Sequence, residues 1–114
     1  MRVFNKTRNL PLITQGRIAN TFWLRLRGLL GSKPLQEGEG LILFGEKSIH
    51  TLFMRFPIDV VYVDKHYNII RVDPNMVPYR LGAYVSKSVY ILEMPTGTIH
   101  QTATQVGDQL QFEP

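Results

Sequence analysis

Short runs of β-branched and aromatic residues constrain the fold of this chain more than any other feature. Residues 58–64 (IDVVYVD) and 67–73 (YNIIRVD) are two extended runs joined by a few polar residues. This arrangement is typical of a β-hairpin. Further short strands are expected at 1–4, 10–14, 41–44, 49–54, 88–94 and 109–112.

Two other segments have the periodicity of a helix. Apolar residues from 19 to 30 recur at offsets of three, four and seven, which predicts an amphipathic helix over about 18–30. Ile99, Ala103 and Val106 share one face of a second, shorter helix, predicted over about 97–105 and ended by the glycine that follows Val106.

Together these elements predict a β-rich α+β domain. Hydrophobic residues make up 44% of the 114 residues, and no proline-, glycine- or serine-rich linker divides them, so one globular domain over 1–114 is expected. About seven short strands with nearly continuous apolar runs favour a small, partly closed β-barrel, with the first helix covering one opening.

Composition excludes several classes of site. The chain has no cysteine, which removes disulfides, thiolate nucleophiles and cysteine-ligated metals. The amino terminus has charges and a proline where a secretory signal would need an apolar run, and no apolar stretch approaches the length of a membrane span. A soluble, cytoplasmic protein is therefore expected.

The charge balance is moderately basic. Thirteen Lys and Arg residues against nine Asp and Glu residues give a formal net charge of +4. This charge permits weak attraction to nucleic acid, but the longest basic cluster is LRLRG at 24–28, and no nucleic-acid-binding module is recognisable. We interpret most of these charges as a solvated surface and expect no specific nucleic-acid partner.

Ionisable residues stand within the predicted strands, most clearly in SIHTLFMRFPID at 48–59. By alternation, Asp59 and Glu93 each share a strand face with apolar residues. A buried carboxylate without a donor costs several kcal/mol, so each acid needs a partner. A cluster of these acids with their donors would either fix the strand register, form a polar ligand pocket or form an acid–base site. The candidate donors are Arg27, His50, Arg55 and Arg80.

Other catalytic and ligand-binding patterns are missing from the sequence. It has no GxSxG or SxxK nucleophile motif and no glycine-rich phosphate loop. His50, His66 and His100 lie far apart, without the HxH or HxxxH spacing of a chelating pair. We therefore predict no metal and no cofactor, and the catalytic residues, if any, stay unknown.

Several ordered motifs resemble one family. RGLLG at 27–31, SIHTLFMRFPIDVVYVD at 48–64 and ILEMPTGTIHQTATQVGDQL at 91–110 are similar to the bacterial and archaeal domain-of-unknown-function family 192. The resemblance runs from about residue 17 to about residue 112. It implies a small β-rich barrel with a helix, and it carries no established activity.

The chain departs from this family at Ser32, where arginine is frequent, and at Tyr79, where a Pro-Trp-Arg segment is usual. Ser32 removes a cation. Tyr79 keeps an aromatic ring with a polar tip, which is compatible with a packing or lid role.

Three functional hypotheses follow. We favour a non-catalytic module that binds a small polar ligand or a segment of a partner protein. The alternative is a hydrolase-like or other acid–base enzyme, in which His50 is a base oriented by Asp59, or Asp59 is the acid, on a substrate under the 73–84 loop. The third is a weak nucleic-acid binder that depends on net charge. The candidate ligand-binding residues are Arg27, His50, Arg55, Asp59, Arg80 and Glu93.

Overall fold

The computed structural model describes residues 1–19, 34–51 and 54–114. In these ranges the chain forms eight strands and one short helix. The elements are β1 (Arg2–Asn5), β2 (Leu10–Ile13), β3 (Gln15–Ala19), β4 (Glu39–Phe44), β5 (Ile58–Val63), β6 (Ile69–Met76), β7 (Tyr90–Pro95), α1 (Thr98–Thr102) and β8 (Leu110–Glu113).

The strands form two sheets. A three-stranded sheet has the order β2-β1-β8, and a five-stranded sheet has the order β3-β4-β7-β5-β6. Only the pairing of β3 with β4 is parallel among the described strands, and the others are antiparallel. The predicted hairpin of β5 and β6 is confirmed, with Val61 opposite Val72.

Strand β5 is buried along its whole length because a hydrophobic core covers each of its two faces. Val61 and Val63 face a first hydrophobic core, which also contains Val3 and Leu110 of the three-stranded sheet. The alternate residues of β5 face a second core on the other side. Full burial of an aliphatic side chain contributes about 1.5–3 kcal/mol, so β5 is a major source of stability.

Backbone hydrogen bonds join the two sheets at two places. At one, the amide of Gly16 donates to the carbonyl of Met1 over 2.8 Å. At the other, the amide of Ile69 donates to the carbonyl of Asp108, and that of Leu110 to the carbonyl of Tyr67, each over 2.9 Å.

The helix predictions need correction. The chain at Gln15–Ala19 is a strand, so a helix starting at 18 is wrong for its first residues, and residues 20–30 lie outside the described part. The second helix is shorter than predicted because Ala103 has a left-handed φ of 55° and ends it. Val106 is 59% exposed and takes no part in a buried helical face.

Two strand predictions also differ from the structure. Of the predicted strand at 49–54, residues 52–53 lie outside the described part. In the described residues 49–51 and 54, the backbone forms an isolated bridge between His50 and Leu81 and no continuous strand. Strand β6 continues through Pro74 to Met76, which shortens the predicted long loop. The described strands belong to two separate sheets, so the structure does not confirm that they close into the predicted barrel.

In the part of the chain that the structure describes, no helix combines the length and apolar character needed to traverse a lipid bilayer.

Candidate functional site

Asp59 is 1% exposed and accepts two backbone hydrogen bonds. Its Oδ1 accepts the amide of Asn75 over 2.8 Å, and its Oδ2 accepts the amide of Ile99 over 2.8 Å. Ile99 lies in the first turn of α1, where amides have no partner within the helix. The Gly97 cap offers no side-chain acceptor, so Asp59 caps this helix from a neighbouring strand.

Glu93 lies on the opposite face of the same sheet. It is 2% exposed on β7, where it pairs with Val60 of β5. Val60 and Ile91 belong to the second core, whereas Val61, on the same face as Asp59, belongs to the first. Because side chains alternate along a strand, the two acids lie in different cores and do not share a pocket.

The predicted cationic partners are partly brought together. His50 is half-buried and bridges Leu81, which places it next to Arg80 in space. Arg55 and Arg80 are exposed. Arg27 lies outside the described residues. The six predicted residues therefore do not form one cluster. His50 and Arg80 do adjoin the same loop, which spans residues 77–84.

Thr51, which the sequence reasoning missed, organises that loop. It is fully buried, and its hydroxyl donates to the carbonyl of Val77 over 2.7 Å and accepts the amide of Arg80 over 2.9 Å. Its backbone amide donates to the carbonyl of Arg80 over 2.8 Å, and its carbonyl accepts the amide of Tyr79 over 2.7 Å. The sequence did offer one indication of this role: Thr51 is a hydroxyl residue within an apolar run, and a buried hydroxyl needs hydrogen-bond partners.

Gly82 fixes the loop at a second point. Its amide donates to the carbonyl of Ile49 over 2.8 Å. A Cβ on Gly82 would lie 2.7 Å from that carbonyl oxygen, which is closer than real Cβ atoms approach, and a tight 3.1 Å from the hydroxyl of Tyr62. Any larger residue there would push the loop away from the core.

The 77–84 loop points large side chains into solvent although its backbone is held tightly. Tyr79 is 70% exposed, Leu81 78% and Tyr84 73%. Tyr79 also has a left-handed φ of 63°. For a residue other than glycine this conformation costs of order 1–3 kcal/mol and persists only where the surroundings impose it.

A groove of about 290 Å³ runs between the 77–84 loop and β6, and we call it the β6 groove. Arg71 lies in it and donates from Nε to Asp73 over 3.0 Å. This hydrogen bond raises the pKa of Arg71 further, so the side chain stays a cation. The lining residues are Arg71, Asp73, Pro74, Met76, Arg80, Leu81, Gly82 and Ala83.

Tyr62 connects the loop to the second core. Its side chain is fully buried, and its hydroxyl donates to the carbonyl of Ala83 over 3.4 Å. Burial, with a smaller contribution from the charge of Asp73, raises the pKa of Tyr62 to about 12. The hydroxyl therefore keeps its proton and remains a donor to the loop.

Within residues 1–19, 34–51 and 54–114, no three His, Asp or Glu side chains converge in the way that a metal site requires. A site built on this surface would use cations, hydroxyls and aromatic rings.

Curated relatives of this chain are named only by their family. A UPF0127 protein of Thermococcus sibiricus is 30% identical over 115 residues, covering 97% of this chain and 74% of the relative. A UPF0127 protein of Pyrococcus horikoshii is 27% identical over 113 residues, covering 96% of this chain and 97% of the relative. These relatives are archaeal, and their names state no activity.

Two solved structures share the fold. A protein of unknown function from Novosphingobium aromaticivorans has a TM-score of 0.82 at 18% identity, covering 97% of this chain and 82% of that one. A protein from Sinorhizobium meliloti has a TM-score of 0.76 at 21% identity, covering 96% of this chain and 89% of that one. At such low identity, the likeness concerns the fold alone.

The sequence motifs and the family comparison agree. The model of the family DUF192, described as "Uncharacterized ACR, COG1430", matches residues 3–112. The resemblance noted at 27–31, 48–64 and 91–110 is confirmed, and the chain belongs to this DUF192 (UPF0127) family of uncharacterised proteins.

Proposed function

We propose that this chain is a non-catalytic binding module whose binding surface consists of the 77–84 loop and the β6 groove. The observation that carries the proposal is the contrast within the loop. Its backbone is anchored by buried Thr51 and by the close approach of Gly82, while Tyr79, Leu81 and Tyr84 are exposed.

Such a contrast suits binding. A loop held in one conformation before binding loses little entropy when a ligand arrives. Aromatic side chains and arginine are enriched in binding surfaces, and this loop presents two tyrosines beside Arg80. Arg71 and Arg80 line the same groove, so the ligand is expected to carry acceptor or anionic groups.

The acid–base alternative has less support. Both carboxylate oxygens of Asp59 already accept backbone amides, and the side chain is 1% exposed. An acid that orients His50 or protonates a substrate would have to leave the buried amide of Ile99 without an acceptor, at about 1–3 kcal/mol, and would also release the amide of Asn75. We therefore assign Asp59 a structural role and place the binding surface at the loop.

We also infer that the two sheets together form a partly closed barrel. The hydrogen bond from Gly16 to Met1 supports closure on one side. The bonds from Ile69 to Asp108 and from Leu110 to Tyr67 support it on the other. A radius of gyration of 12.5 Å is close to the value of about 13 Å expected for one domain of this length. A single domain over 1–114 and a cytoplasmic location stay predictions.

The proposal is tested by titrating ¹⁵N-labelled protein with citrate, glutamate, inorganic pyrophosphate and a random hexapeptide library. We expect amide resonances within 71–84 to shift with at least one of these probes. Leu81→Ser should weaken this response by about tenfold or more, because it removes an exposed anchor from the centre of the surface. Leu10→Ser, at an exposed leucine of β2, is the matched control and should leave the response unchanged.

The proposal is wrong if no probe shifts these resonances at millimolar concentration. It is also wrong if every shift lies elsewhere and is insensitive to Leu81→Ser.

A further inference from the structure

Three grooves follow one another across the surface and share lining residues. The first, of about 460 Å³, is lined by Lys47, Asp64, Lys65, His66, Lys87 and Val89. The second, of about 400 Å³, shares Lys87 with the first and also contains Arg71 and Tyr84. The third is the β6 groove, which shares Arg71 with the second. We call the three together the basic track.

Cations dominate the basic track. Its two carboxylates are both engaged: Asp64 accepts the amides of His66 and Asn68, each over 2.9 Å, and Asp73 pairs with Arg71. In the described part of the chain, no ion pair joins a lysine of the track to a carboxylate. The cationic side chains of the track are Lys47, Lys65, Arg71, Arg80 and Lys87.

The first of these cations is held in place. The Nζ of Lys47 donates to the carbonyl of Ser88 over 2.6 Å, which fixes its position with a neutral acceptor. Lys65 and Lys87 are exposed and line the same groove as Lys47, so three positive charges lie around one solvent-accessible groove. Such a surface attracts an anion with several charges.

Exposed aromatic rings accompany the cations. Tyr84 lines the second groove and is 73% exposed. Tyr79, which is 70% exposed, lies next in sequence to Arg80 of the β6 groove. A positively charged groove with aromatic side chains along it is the arrangement with which proteins bind single-stranded nucleic acid, because the cations contact phosphates and the rings stack on bases.

We propose that the basic track binds single-stranded nucleic acid without sequence preference. The proposal rests on the proposed function, since it names a ligand class for a surface that includes the β6 groove. The track is open and divided into three grooves in a row, which fits an extended chain better than a small molecule, whose sites enclose most of the ligand. Unpaired bases are required, because the rings of Tyr79 and Tyr84 can stack only on exposed base faces.

The salt dependence of binding has a defined size. Each phosphate contact with a single strand contributes about −0.7 to the slope of log K against log salt. If the track cations other than Arg71, which pairs with Asp73, all contact phosphates, the slope is about −2.8. Lys87→Gln should reduce the magnitude of that slope by about 0.7. Tyr84→Ala should weaken binding by about fivefold to a hundredfold, because it removes one stacked base, while leaving the slope unchanged.

The test is fluorescence anisotropy with labelled oligo-dT and oligo-rU of about 15 nucleotides, a length suited to such sites. Affinity is measured between about 50 and 300 mM salt, beside a DNA duplex of equal length. Tyr84→Phe keeps the ring and should bind like the parent. Arg2→Gln is the matched charge control, since Arg2 lies on β1 opposite Glu113 and outside the track. Urea denaturation checks that each variant is folded.

Tighter binding of the single strands than of the duplex, with the expected effects of Lys87→Gln and Tyr84→Ala, supports the proposal. Three results would overturn it: no binding at about 50 mM salt, equal losses with Arg2→Gln and Lys87→Gln, or no effect of Tyr84→Ala. If the oligonucleotides fail while another probe still shifts resonances within 71–84, the binding module survives and only the ligand class is wrong. If every probe fails, both proposals are wrong.

Discussion

Asp59 on β5 holds the first turn of α1 by accepting the amide of Ile99 over 2.8 Å. The other oxygen of the same carboxylate accepts the amide of Asn75 near the end of β6. One buried side chain therefore joins a central strand, an outer strand and a helix. This accounts for an acid within a strand that is otherwise apolar.

Asp59→Ala should lower the free energy of unfolding by about 3–5 kcal/mol, because it leaves the buried amide of Ile99 and the partly buried amide of Asn75 without their carboxylate acceptor. Urea denaturation of the variant beside the parent measures this loss. An unchanged midpoint would show that Asp59 contributes little to stability, and the functional reading of this residue would then regain weight.

Asp59→Asn is the conservative companion to this change. One amide oxygen can still accept from Asn75 or from Ile99, but the NH₂ group then faces the other donor. The loss should therefore be smaller than for Asp59→Ala and still measurable. Hydrogen exchange should locate the weakened amide at one of these two positions.

Thr51→Val should loosen the 77–84 loop, because valine keeps the shape of threonine but neither donates to Val77 nor accepts from Arg80. We expect a loss of about 1–3 kcal/mol in stability. Hydrogen exchange at the amide of Arg80 should become much faster.

Thr51→Ser is the control for this prediction, since it keeps the hydroxyl. It should preserve slow exchange at the amide of Arg80 even if the lost methyl group costs some stability. Equal exchange rates in the serine and valine variants would mean that the hydroxyl does not hold the loop.

The central hairpin could be predicted from sequence because its pattern is local: two β-branched runs with a short polar connection. Strand β3 could not. Gln15–Ala19 has few apolar residues, and its partner β4 begins 24 residues later, with Gln15 opposite Glu39. A parallel pairing over such a separation depends on the assembled sheet rather than on local composition.

The candidate site was only partly predictable for a related reason. The need of Asp59 for donors was clear from sequence, but its donors are backbone amides, which every residue carries and no side-chain pattern reveals. The separation of Asp59 from Glu93 follows from the register that places Asp59 opposite Met94. A shift of one residue would have placed the acids on the same face.

Tyr62 provides a test at alkaline pH. Burial raises its pKa to about 12 from an ordinary value of 10.0. The unfolded chain loses the phenol proton first, so this contribution to stability is complete below pH 10 and is lost as the pH rises toward 12. The decline should reach at most about 2–3 kcal/mol.

Tyr62→Phe removes this titration, so the parent should lose more stability than the variant over that alkaline range. Urea denaturation at several pH values measures the difference, and ultraviolet absorbance of ionised tyrosine should show one group that titrates late in the parent alone. Parallel stability curves for the two proteins would contradict the assignment.

Asp108 provides the corresponding test in acid. Burial alone would raise the pKa of this carboxyl, but hydrogen bonds from Arg8, Asn5 and the amide of Gln105 outweigh it and lower the pKa below its usual value of 3.8. Its contribution to stability is therefore complete above that value and is lost as the pH falls through the lower pKa of the folded state.

Asp108→Asn should cost about 1–3 kcal/mol near neutral pH, because the charge that pairs with Arg8 is gone. The difference between parent and variant in urea denaturation should shrink as the pH falls from about 4 to about 2. Arg8→Gln removes the largest favourable partner of Asp108, so the stability of this variant should depend on acid pH less steeply than the stability of the parent does. If the difference in stability between the parent and Asp108→Asn stays constant down to about pH 2, Asp108 is not held ionised by this cluster.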